Sequence, residues 1–300
     1  MRLFLEQCTN GLAVGSIYAL IALGYTMVYG VLKLINFAHG DLFTFGAYLG
    51  MTLLASMLAS ERVEVGLGLV LLVVMVMGLV AVLGVVLERV AYRPVRSAPR
   101  LNAVVSALGA SIFLQNALML AYGGSPQRYE EVLPQTALSV FGLQIPVVRI
   151  AVVVAAVAMM AVLYFFVQRT RVGAAIRATA IDPDAARLMG IDVNRIVMLV
   201  FVVGPALGGA AGLLVGLLYG SISFTMGWSY GMKAFTAAIL GGIGNIPGAM
   251  LGGLLLGLVE ALGAAYLSMA WRDAIAYGVL ILILIVRPSG LLGERVADKV

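Results

Sequence analysis

The residues with the greatest chemical potential lie in the stretch LKLINFAHGDLFTFGAYLG, which runs from Leu32 to Gly50. It contains the chain's only histidine, His39, two residues from Asp41, with Lys33 and Asn36 just upstream. An ionisable group inside a membrane costs about 2.5–3.5 kcal/mol on insertion scales, so it usually marks a function. Three interpretations are open: a catalytic dyad, an ion relay, and an irregular segment that a substrate passes.

A structural role fits this histidine and aspartate better than catalysis. Hydrolysis needs a nucleophile or a metal beside them, and the chain has no second histidine for a histidine-based zinc site. A proton relay stays open because histidine titrates near physiological pH. We favour a broken helix whose ends His39 and Asp41 hydrogen-bond, with Asp41 at the N-terminus of the second span. The stretch is then a structured break beside a path through the membrane.

The composition is that of an integral membrane protein. Of 300 residues, 62% are hydrophobic and 11% are charged, and the mean hydropathy is +1.07. Soluble domains are about 45–50% apolar and roughly 25% charged. Long apolar runs without alternation exclude a β-barrel. The net charge of +5 reflects membrane orientation and needs no nucleic-acid partner, and a single cysteine, Cys8, excludes an internal disulfide.

The chain is therefore predicted to be all-α, a polytopic membrane protein in which residues 1–300 form one transmembrane domain. Several stretches exceed the roughly 18 apolar residues that cross a bilayer as a helix. We count eight hydrophobic segments, at 8–31, 41–58, 66–87, 101–121, 147–167, 194–218, 232–262 and 272–286.

The charges of the connecting loops predict their sides of the membrane. Three arginine-rich regions are predicted to be cytoplasmic, because basic residues concentrate there. Their basic residues are Arg89, Arg93, Arg96 and Arg100 in the first, Arg169, Arg171, Arg177, Arg187 and Arg195 in the second, and Arg287, Arg295 and Lys299 in the tail. The loops 59–65 and 122–146 suit the outer face, since they carry Glu61, Glu64, Glu130 and Glu131. The side of the N-terminus stays open.

Segment 232–262 conflicts with simple alternation. A single crossing by this segment would break the parity of the spans around it, and its middle reads LGGIGNIPGAMLGG. Irregular backbone at membrane depth survives only inside protein or beside a water-filled cavity. We predict a re-entrant hairpin or a broken helix at Gly241–Gly248. Paired interruptions in two halves of a transporter point to its substrate region and to internal repeats, so the likeness of INFAHGDL to GNIPGAML leaves a repeat open.

These two interruptions supply the candidate residues for lining a translocation path or shaping the breaks. They are Asn36, Phe37, His39, Gly40 and Asp41 in the first, and Gly241, Gly242, Gly244, Asn245 and Pro247 in the second. Two charged residues of the second region, Lys233 and Glu260, are expected to anchor it by snorkelling to the interface or by facing a partner.

A glycine at every fourth position marks the segment GPALGGAAGLLVGLLYG. The glycines are Gly204, Gly208, Gly212, Gly216 and Gly220. This spacing places them along one slowly turning stripe of a helix, where a neighbouring helix can approach closely. We predict close helix packing along the stripe.

The arginine-rich loop RTRVGAAIRATAIDPDAARLMGIDVNRI is predicted to build its own short helix. Asp182 can accept an N-terminal hydrogen bond, Pro183 suits the first turn, and Gly190 suits a left-handed stop. We interpret a loop of this length with such a helix as a docking element. The alternative is an orientation signal that lies on lipid headgroups.

With these motifs in hand, the chain resembles the LivH-type permeases of bacterial ATP-binding cassette (ABC) importers for branched-chain amino acids. The resemblance covers nearly the whole chain in the expected order. The pieces that carry it are GSIYALIALGYTMVYGVLKLINFAHGDLFTFGAY, GAAIRATAIDPDAARLMGI, GMKAFTAAILGGIGNIPGAMLGGLLLGLVEAL and RPSGLLG.

The resemblance implies a permease that works only with partners in the bacterial inner (cytoplasmic) membrane. The implied partners are a sister permease of LivM type, two cytoplasmic ATPase subunits and a periplasmic amino-acid-binding protein. The arginine-rich loop would couple to an ATPase through Gly173, Arg177, Ala178, Asp182, Pro183, Ala186, Arg187 and Gly190. No phosphate-cradling glycine loop followed by Lys and Ser or Thr occurs in the chain, so ATP is expected on the ATPase partners and no cofactor on this one.

The substrate implied is leucine, isoleucine or valine, and two alternatives stay open. Related ABC permeases carry urea, short amides or other amino acids, and the binding protein largely sets that choice. An ion-coupled secondary transporter would instead work alone, through intramembrane relays for which only Lys33, His39 and Asp41 are clustered candidates.

Overall fold

The computed structural model describes residues 2–58, 65–96, 98–130, 132, 136–140 and 143–293. Glu61, Glu64, Glu131, Arg295 and Lys299, used above to orient the chain, lie outside this range. Eleven α-helices make up most of the described chain. They are α1 (Arg2–Leu32), α2 (His39–Leu58), α3 (Val65–Leu87), α4 (Arg100–Tyr122), α5 (Val147–Arg169), α6 (Arg171–Ile181), α7 (Pro183–Leu188), α8 (Val193–Tyr219), α9 (Met226–Gly241), α10 (Ile246–Tyr266) and α11 (Arg272–Val286).

Eight helical stretches of the described chain are long and apolar enough to cross a membrane, which confirms the all-α polytopic prediction. They correspond to α1 to α5, α8, α10 and α11, with α3 extended to Val95 by a π-helical turn and a 3₁₀ turn. The predicted segment 232–262 is divided between α10 and the shorter α9, which has only 16 residues. The re-entrant or broken interpretation is therefore confirmed, and α9 and α10 form a hairpin.

The two sides of the molecule follow from the helix directions. The end of α8, the starts of α1 and α11 and the last turn of α10 meet around one cavity, on the side where four short strands lie. Helices α6 and α7, which carry the second arginine cluster, connect the opposite ends of α5 and α8. By the positive-inside rule α6 and α7 mark the inner side, so α1 begins on the outer side. The side of the N-terminus stays a prediction from this rule, and outer and inner are used below in this sense.

Helices α1 and α8 form the centre of the fold. In the most apolar 18 residues of each, 94% and 78% of positions are buried, against 6% for the span containing α11. The outward faces of α3, α4 and α5 expose large apolar side chains such as Val82, Phe113 and Phe165. Because lipid is the solvent for such faces, the polar residues of interest must lie on or beside α1 and α8.

The glycine stripe of α8 is used for close packing at four of its five positions. A Cβ on Gly204 would lie 3.2 Å from the Gly24 carbonyl oxygen, and one on Gly208 would lie 3.2 Å from the His39 ring. A Cβ on Gly212 would collide with the Phe43 carbonyl of α2, and one on Gly216 with a tyrosine ring. The stripe thus lets α1 and α2 reach the α8 backbone.

Gly220 corrects the prediction for the fifth position of the stripe. It caps the C-terminus of α8 with φ of 65°, and a Cβ there would meet open space. Its role is to end the helix in the left-handed conformation that glycine adopts without strain, and it packs no neighbour.

The outer loop 122–146 contains short strands that the sequence did not predict. They are β1 (Gln127–Arg128), β2 (Ala137–Val140), β3 (Leu143–Pro146) and, after α8, β4 (Ser221–Ile222). β2 pairs antiparallel with β3, and β1 pairs antiparallel with β4. The β1–β4 pair ties the loop to the end of α8, over the outer ends of α2 and α8.

Candidate functional site: two helix breaks around α9

The first break separates α1 from α2. Helix α1 ends at Leu32, and Lys33 has φ of 54°, in the left-handed region that stops a helix. Helix α2 begins at His39, whose backbone N–H donates to the Asn36 carbonyl at 3.1 Å. The sequence-based interpretation of this stretch as a structured break is therefore supported by the backbone itself.

Asn36 holds the break in place. It is buried, and its side-chain oxygen accepts a hydrogen bond from the Tyr92 hydroxyl at 2.8 Å. Tyr92 lies in the π-helical turn after α3 and packs on Phe201 of α8 with ring centroids 5.0 Å apart. Asn36 thus fixes the irregular segment to both α3 and α8.

His39 fills the crossing of α1 and α8. Its ring lies against the backbone of Gly24 and of Gly208 and meets the Tyr25 ring with centroids 4.8 Å apart. The side chain is fully buried, and within the described chain neither ring nitrogen has a hydrogen-bond partner. The expectation that His39 hydrogen-bonds the helix ends is therefore wrong, because the two glycines admit the ring as a packing element.

Asp41 lies in the first turn of α2, as predicted, but its partner comes from another helix. Its carboxylate accepts a hydrogen bond from the Ser111 hydroxyl of α4. Asp41 is buried, and this hydrogen bond together with the helix N-terminus offsets the cost of removing its carboxylate from water. His39 and Asp41 do not form a dyad, since the carboxylate is engaged by Ser111 and the imidazole by no acid.

The next residues of the break contact α9. A Cβ on Gly40 would collide with the Gly227 carbonyl and would lie 3.3 Å from the Gly231 Cα, so the first turns of α2 and α9 touch backbone to backbone. Phe37 is partly buried and packs against the core at the turn before α2. The first break therefore abuts the N-terminal end of α9.

The second break follows the C-terminal end of α9. Gly242 and Gly244 have φ of 106° and 96°, conformations that an L side chain rarely adopts. Asn245 caps α10, its side-chain oxygen accepting from the Gly248 N–H at 2.9 Å, and Pro247 occupies the first turn. Gly241 and Gly248 lie so close that a Cβ on either would overlap the other's backbone.

The chain after α11 closes this second break. The Leu291 and Leu292 N–H groups donate to the carbonyls of Leu240 and Gly241, each at 2.9 Å. The Asn245 side-chain NH₂ donates to the Leu292 carbonyl at 2.8 Å. The carbonyls at the end of α9 thus find partners in the segment that reads RPSGLLG.

Both candidate stretches therefore frame one short helix, α9. Gly40 packs on its first turn, and Gly242–Asn245 follows its last residue. The last turn of α1 also reaches the second break, because a Cβ on Gly30 would lie 3.9 Å from the Gly244 Cα. That these residues line a path, and that the two stretches are a repeat, stay predictions.

The inner segment formed by α6 and α7 has the helix-capping residues that the sequence predicts. The Asp182 carboxylate accepts from the N–H groups of Asp184 and Ala185 at 2.9 and 3.0 Å, and Pro183 is the first helical residue. Gly190, with φ of 80°, ends the helix, and Arg187 pairs with Asp184 at 2.6 Å. The capped helix predicted from the sequence is confirmed.

Helix α6 folds back tightly on α5. Thr170 caps it by accepting from the Gly173 N–H at 2.9 Å, and a Cβ on Gly173 would collide with the Val167 carbonyl. Arg177 donates to that same carbonyl oxygen. Ala178 is half-buried on this helix.

Three large apolar side chains project from this inner segment. Ile181, Leu188 and Met189 are 86%, 89% and 82% exposed, while Ala186 between them is buried. Exposed apolar side chains gathered at one end of a molecule are typical of a contact surface, and the docking role of this segment stays a prediction.

A buried ion cluster links α9, α10 and α11 on the outer side, and the sequence did not predict it. Lys233 Nζ lies 2.8 Å from Glu260 Oε1 and 2.6 Å from Asp273 Oδ1, and Arg272 also pairs with Glu260. Lys233 and Glu260 are 5% and 1% exposed, so the expectation that they snorkel to the interface is wrong. Charged side chains are almost never buried unless they are paired. The partners here lie on three different helices, so their pairing is visible only in the folded structure.

Tyr129 is a second residue that the sequence did not single out. It follows β1, and its ring packs against Gly216 of α8 while its hydroxyl approaches Gly50 of α2. Burial raises the pKa of the Tyr129 hydroxyl, so it stays neutral. Its side chain closes the outer end of the α2–α8 contact.

Comparisons with known proteins agree over nearly the whole chain. A family model described as "Branched-chain amino acid transport system / permease component" matches residues 7–284. The chain is 45% identical to the high-affinity branched-chain amino acid transport system permease protein BraD of Pseudomonas aeruginosa, over 99% of this chain and 98% of that one. It is 42% identical to the corresponding permease protein LivH of Escherichia coli, with the same coverage.

Among solved structures, PsaBC from Streptococcus pneumoniae in complex with Fab aligns at 12% identity with a TM-score of 0.47, covering 95% of this chain and 92% of that one. That likeness is too distant to support a conclusion about this chain.

Proposed function

Because this chain belongs to the family of permease components of branched-chain amino acid transport systems, we propose that it is a transmembrane permease subunit of an ABC importer in the bacterial inner membrane. Together with a sister permease it forms the path for leucine, isoleucine and valine, which a periplasmic binding protein delivers. The observation that carries the proposal is the likeness to two permeases of such systems over 99% of the chain.

The inner segment α6–α7 supports the proposed coupling to ATPase subunits. Thr170 caps its start and Gly190 ends it, and its exposed apolar residues Ile181, Leu188 and Met189 suit insertion into a groove on another protein. Helix α6 packs on α5, and α7 leads through Asp192 into α8. A push on this segment therefore reaches both a peripheral and a central helix.

The two helix breaks support a path that runs beside α9. Turn residues and half-helix ends expose backbone groups that can meet an amino acid without a dedicated charged side chain. Close glycine contacts bring the backbones of α2, α8 and α9 together beside this path. In this proposal the chain binds no cofactor, and ATP is hydrolysed on the partner subunits.

The test is uptake of labelled leucine into proteoliposomes. Vesicles with this chain alone are compared with vesicles that also contain the sister permease and the two ATPases, with the binding protein and ATP supplied on the appropriate sides. We expect uptake only with ATP and every partner, and competition by excess isoleucine and valine. Excess urea or acetamide serves as the control and is expected to leave uptake unchanged.

Two results would count against the proposal. Competition by urea or amides in place of isoleucine would assign the chain to one of the other substrate classes. Uptake by the chain alone, driven by a proton or sodium gradient, would make it a secondary transporter, and Lys33, His39 and Asp41 would then be its first relay candidates.

A further inference from the structure

An open cavity of about 350 Å³ lies at the outer ends of α1, α8 and α10. Small-molecule sites commonly measure about 300–1,000 Å³ and combine an apolar wall with a few polar groups. The polar groups here are Gln7 and Asn10 of α1, Tyr219 at the end of α8, and Arg272 at the start of α11. We call this cavity the outer vestibule.

The vestibule has an apolar side formed mainly by α10. Its lining there includes Ala261 and Ala264 of α10 and Met269 just after it, and Val14 of α1 also lines the cavity. These side chains carry no charge and no hydrogen-bond donor, so they suit an aliphatic group. One site thus presents a polar rim and an apolar wall within the size of a small molecule.

The polar rim is backed by the buried ion cluster. Arg272 lines the vestibule, is 32% exposed, donates through Nε to Glu260, and interacts with the Tyr219 hydroxyl. A guanidinium has five N–H donors in a planar fork that matches a carboxylate, so donors remain for a ligand. Arg272 therefore has the geometry and charge to bind a carboxylate in the vestibule.

Glu260 supplies the opposite charge. It is 1% exposed, its Oε1 holds Lys233 and Arg272, and the buried Tyr18 hydroxyl of α1 lies beside its carboxylate. Gly257 and Ala261, on either side of it along α10, both line the vestibule. Glu260 is buried behind this lining and is not part of it, so it favours a positive group in the vestibule only through the field of its charge.

The charges of the cluster cancel. Lys233 and Arg272 are cations, while Glu260 and Asp273 are anions. Adding a free cation or a free anion would leave an unbalanced charge in a partly desolvated site, which is costly. A zwitterion adds one charge of each sign and keeps the balance.

We propose that the outer vestibule is an entry site of this permease for a free aliphatic α-amino acid. The carboxylate of the amino acid binds Arg272 beside Tyr219, the ammonium group faces the side-chain oxygens of Gln7 and Asn10, and the side chain lies against the apolar wall. The inference rests on the proposed function and deepens it, because it gives the permease its own recognition of an amino acid, independent of the binding protein.

The experiment measures binding of labelled leucine to the complete transporter in nanodiscs, with no binding protein added. Unlabelled leucine is expected to compete about tenfold or more better than leucinamide, which lacks the carboxylate, or the matching 2-oxo acid, which lacks the ammonium group. Arg272→Gln should weaken the binding of leucine about tenfold and abolish the preference for leucine over leucinamide. The matched control is Arg149→Gln, which removes an arginine from another outer cavity of about 340 Å³.

A second variant guards against misfolding of Arg272→Gln. Ala264→Phe fills the vestibule from the apolar wall and leaves every ion pair in place, so leucine binding should fall while the thermal unfolding temperature of the assembled transporter stays close to that of the unmodified one. Unchanged leucine binding in either variant would overturn the entry site, as would equal competition by leucine and leucinamide in the unmodified transporter.

The proposed function and the entry site fail in different ways. ATP-driven leucine uptake with the binding protein, but no saturable leucine binding without it, would keep the proposed function and reject the entry site. No leucine uptake by the complete transporter would reject both.

Discussion

Helix α7 offers the sharpest test of the inner segment, through the substitution Ala186→Pro. The Ala186 N–H donates to the Asp182 carbonyl at 3.0 Å. Proline removes this donor, and its ring collides with the carbonyl four residues earlier, at a cost of about 3 kcal/mol or more. A 3 kcal/mol loss shifts the folded fraction of a local element on the order of a hundredfold.

Little in α7 offsets this cost. It has six residues, and helices shorter than about 12 residues are marginal by themselves. The Asp182 cap contributes about 1 kcal/mol, and the exposed Asp184–Arg187 pair contributes less. We therefore expect the variant to lose the fixed positions of Leu188 and Met189 while every membrane span stays intact.

The assay compares three rates in proteoliposomes that contain the complete transporter: basal ATPase activity, ATPase activity with the loaded binding protein, and leucine uptake. Basal activity should persist, while stimulation and uptake should fall at least tenfold, which corresponds to about 1.4 kcal/mol of the 3 kcal/mol cost. Ala186→Gly keeps the N–H, costs about 1 kcal/mol, and should retain most uptake. Full uptake by Ala186→Pro at normal assembly would refute the coupling role of α7.

Two further predictions concern packing around the first break, and both are read from the thermal unfolding of the purified transporter. Gly212→Leu places side-chain atoms where the Phe43 carbonyl and the Ala47 nitrogen lie, so it should destabilise the α2–α8 contact by roughly 1–3 kcal/mol. The matched control is Gly109→Leu on α4, where a Cβ meets open space. Equal stability of the two variants would contradict the close packing at Gly212. Ser111→Ala removes the hydroxyl that Asp41 accepts and should cost about 1–3 kcal/mol, whereas Ser56→Ala on the exposed end of α2 should be nearly neutral. No difference between these two serine variants would show that Asp41 does not depend on Ser111.

The features predicted from the sequence are those encoded locally. The Asp182 cap bonds N–H groups two and three residues ahead, so Asp, Pro and Gly at fixed spacing suffice to predict α7. Likewise, the glycines at 242 and 244 and the cap at Asn245 identify the hairpin without knowledge of its neighbours. Apolar runs identify the spans for the same reason.

The features that were missed or mistaken join distant parts of the chain. Tyr92 lies 56 residues from Asn36, and Ser111 lies 70 residues from Asp41. Lys233 and Glu260 were expected to anchor the segment at the membrane interface, because no pattern in the sequence indicates that two residues 27 positions apart form an ion pair. Gly220 fits the four-residue spacing of the stripe, but it lies just past the last turn of α8. That position, which the spacing does not reveal, separates it from the glycines that pack against other helices.

The order in which the ribosome delivers these segments constrains how the membrane protein matures. Helix α9 is short and carries Lys233, whose partners Glu260 and Asp273 are synthesised 27 and 40 residues later. Its last carbonyls bond Leu291 and Leu292, near the end of the described chain. Helix α9 therefore cannot reach its native environment until residues through Leu292 have been synthesised, and α9, α10, α11 and the segment that follows them must assemble in the bilayer as one unit.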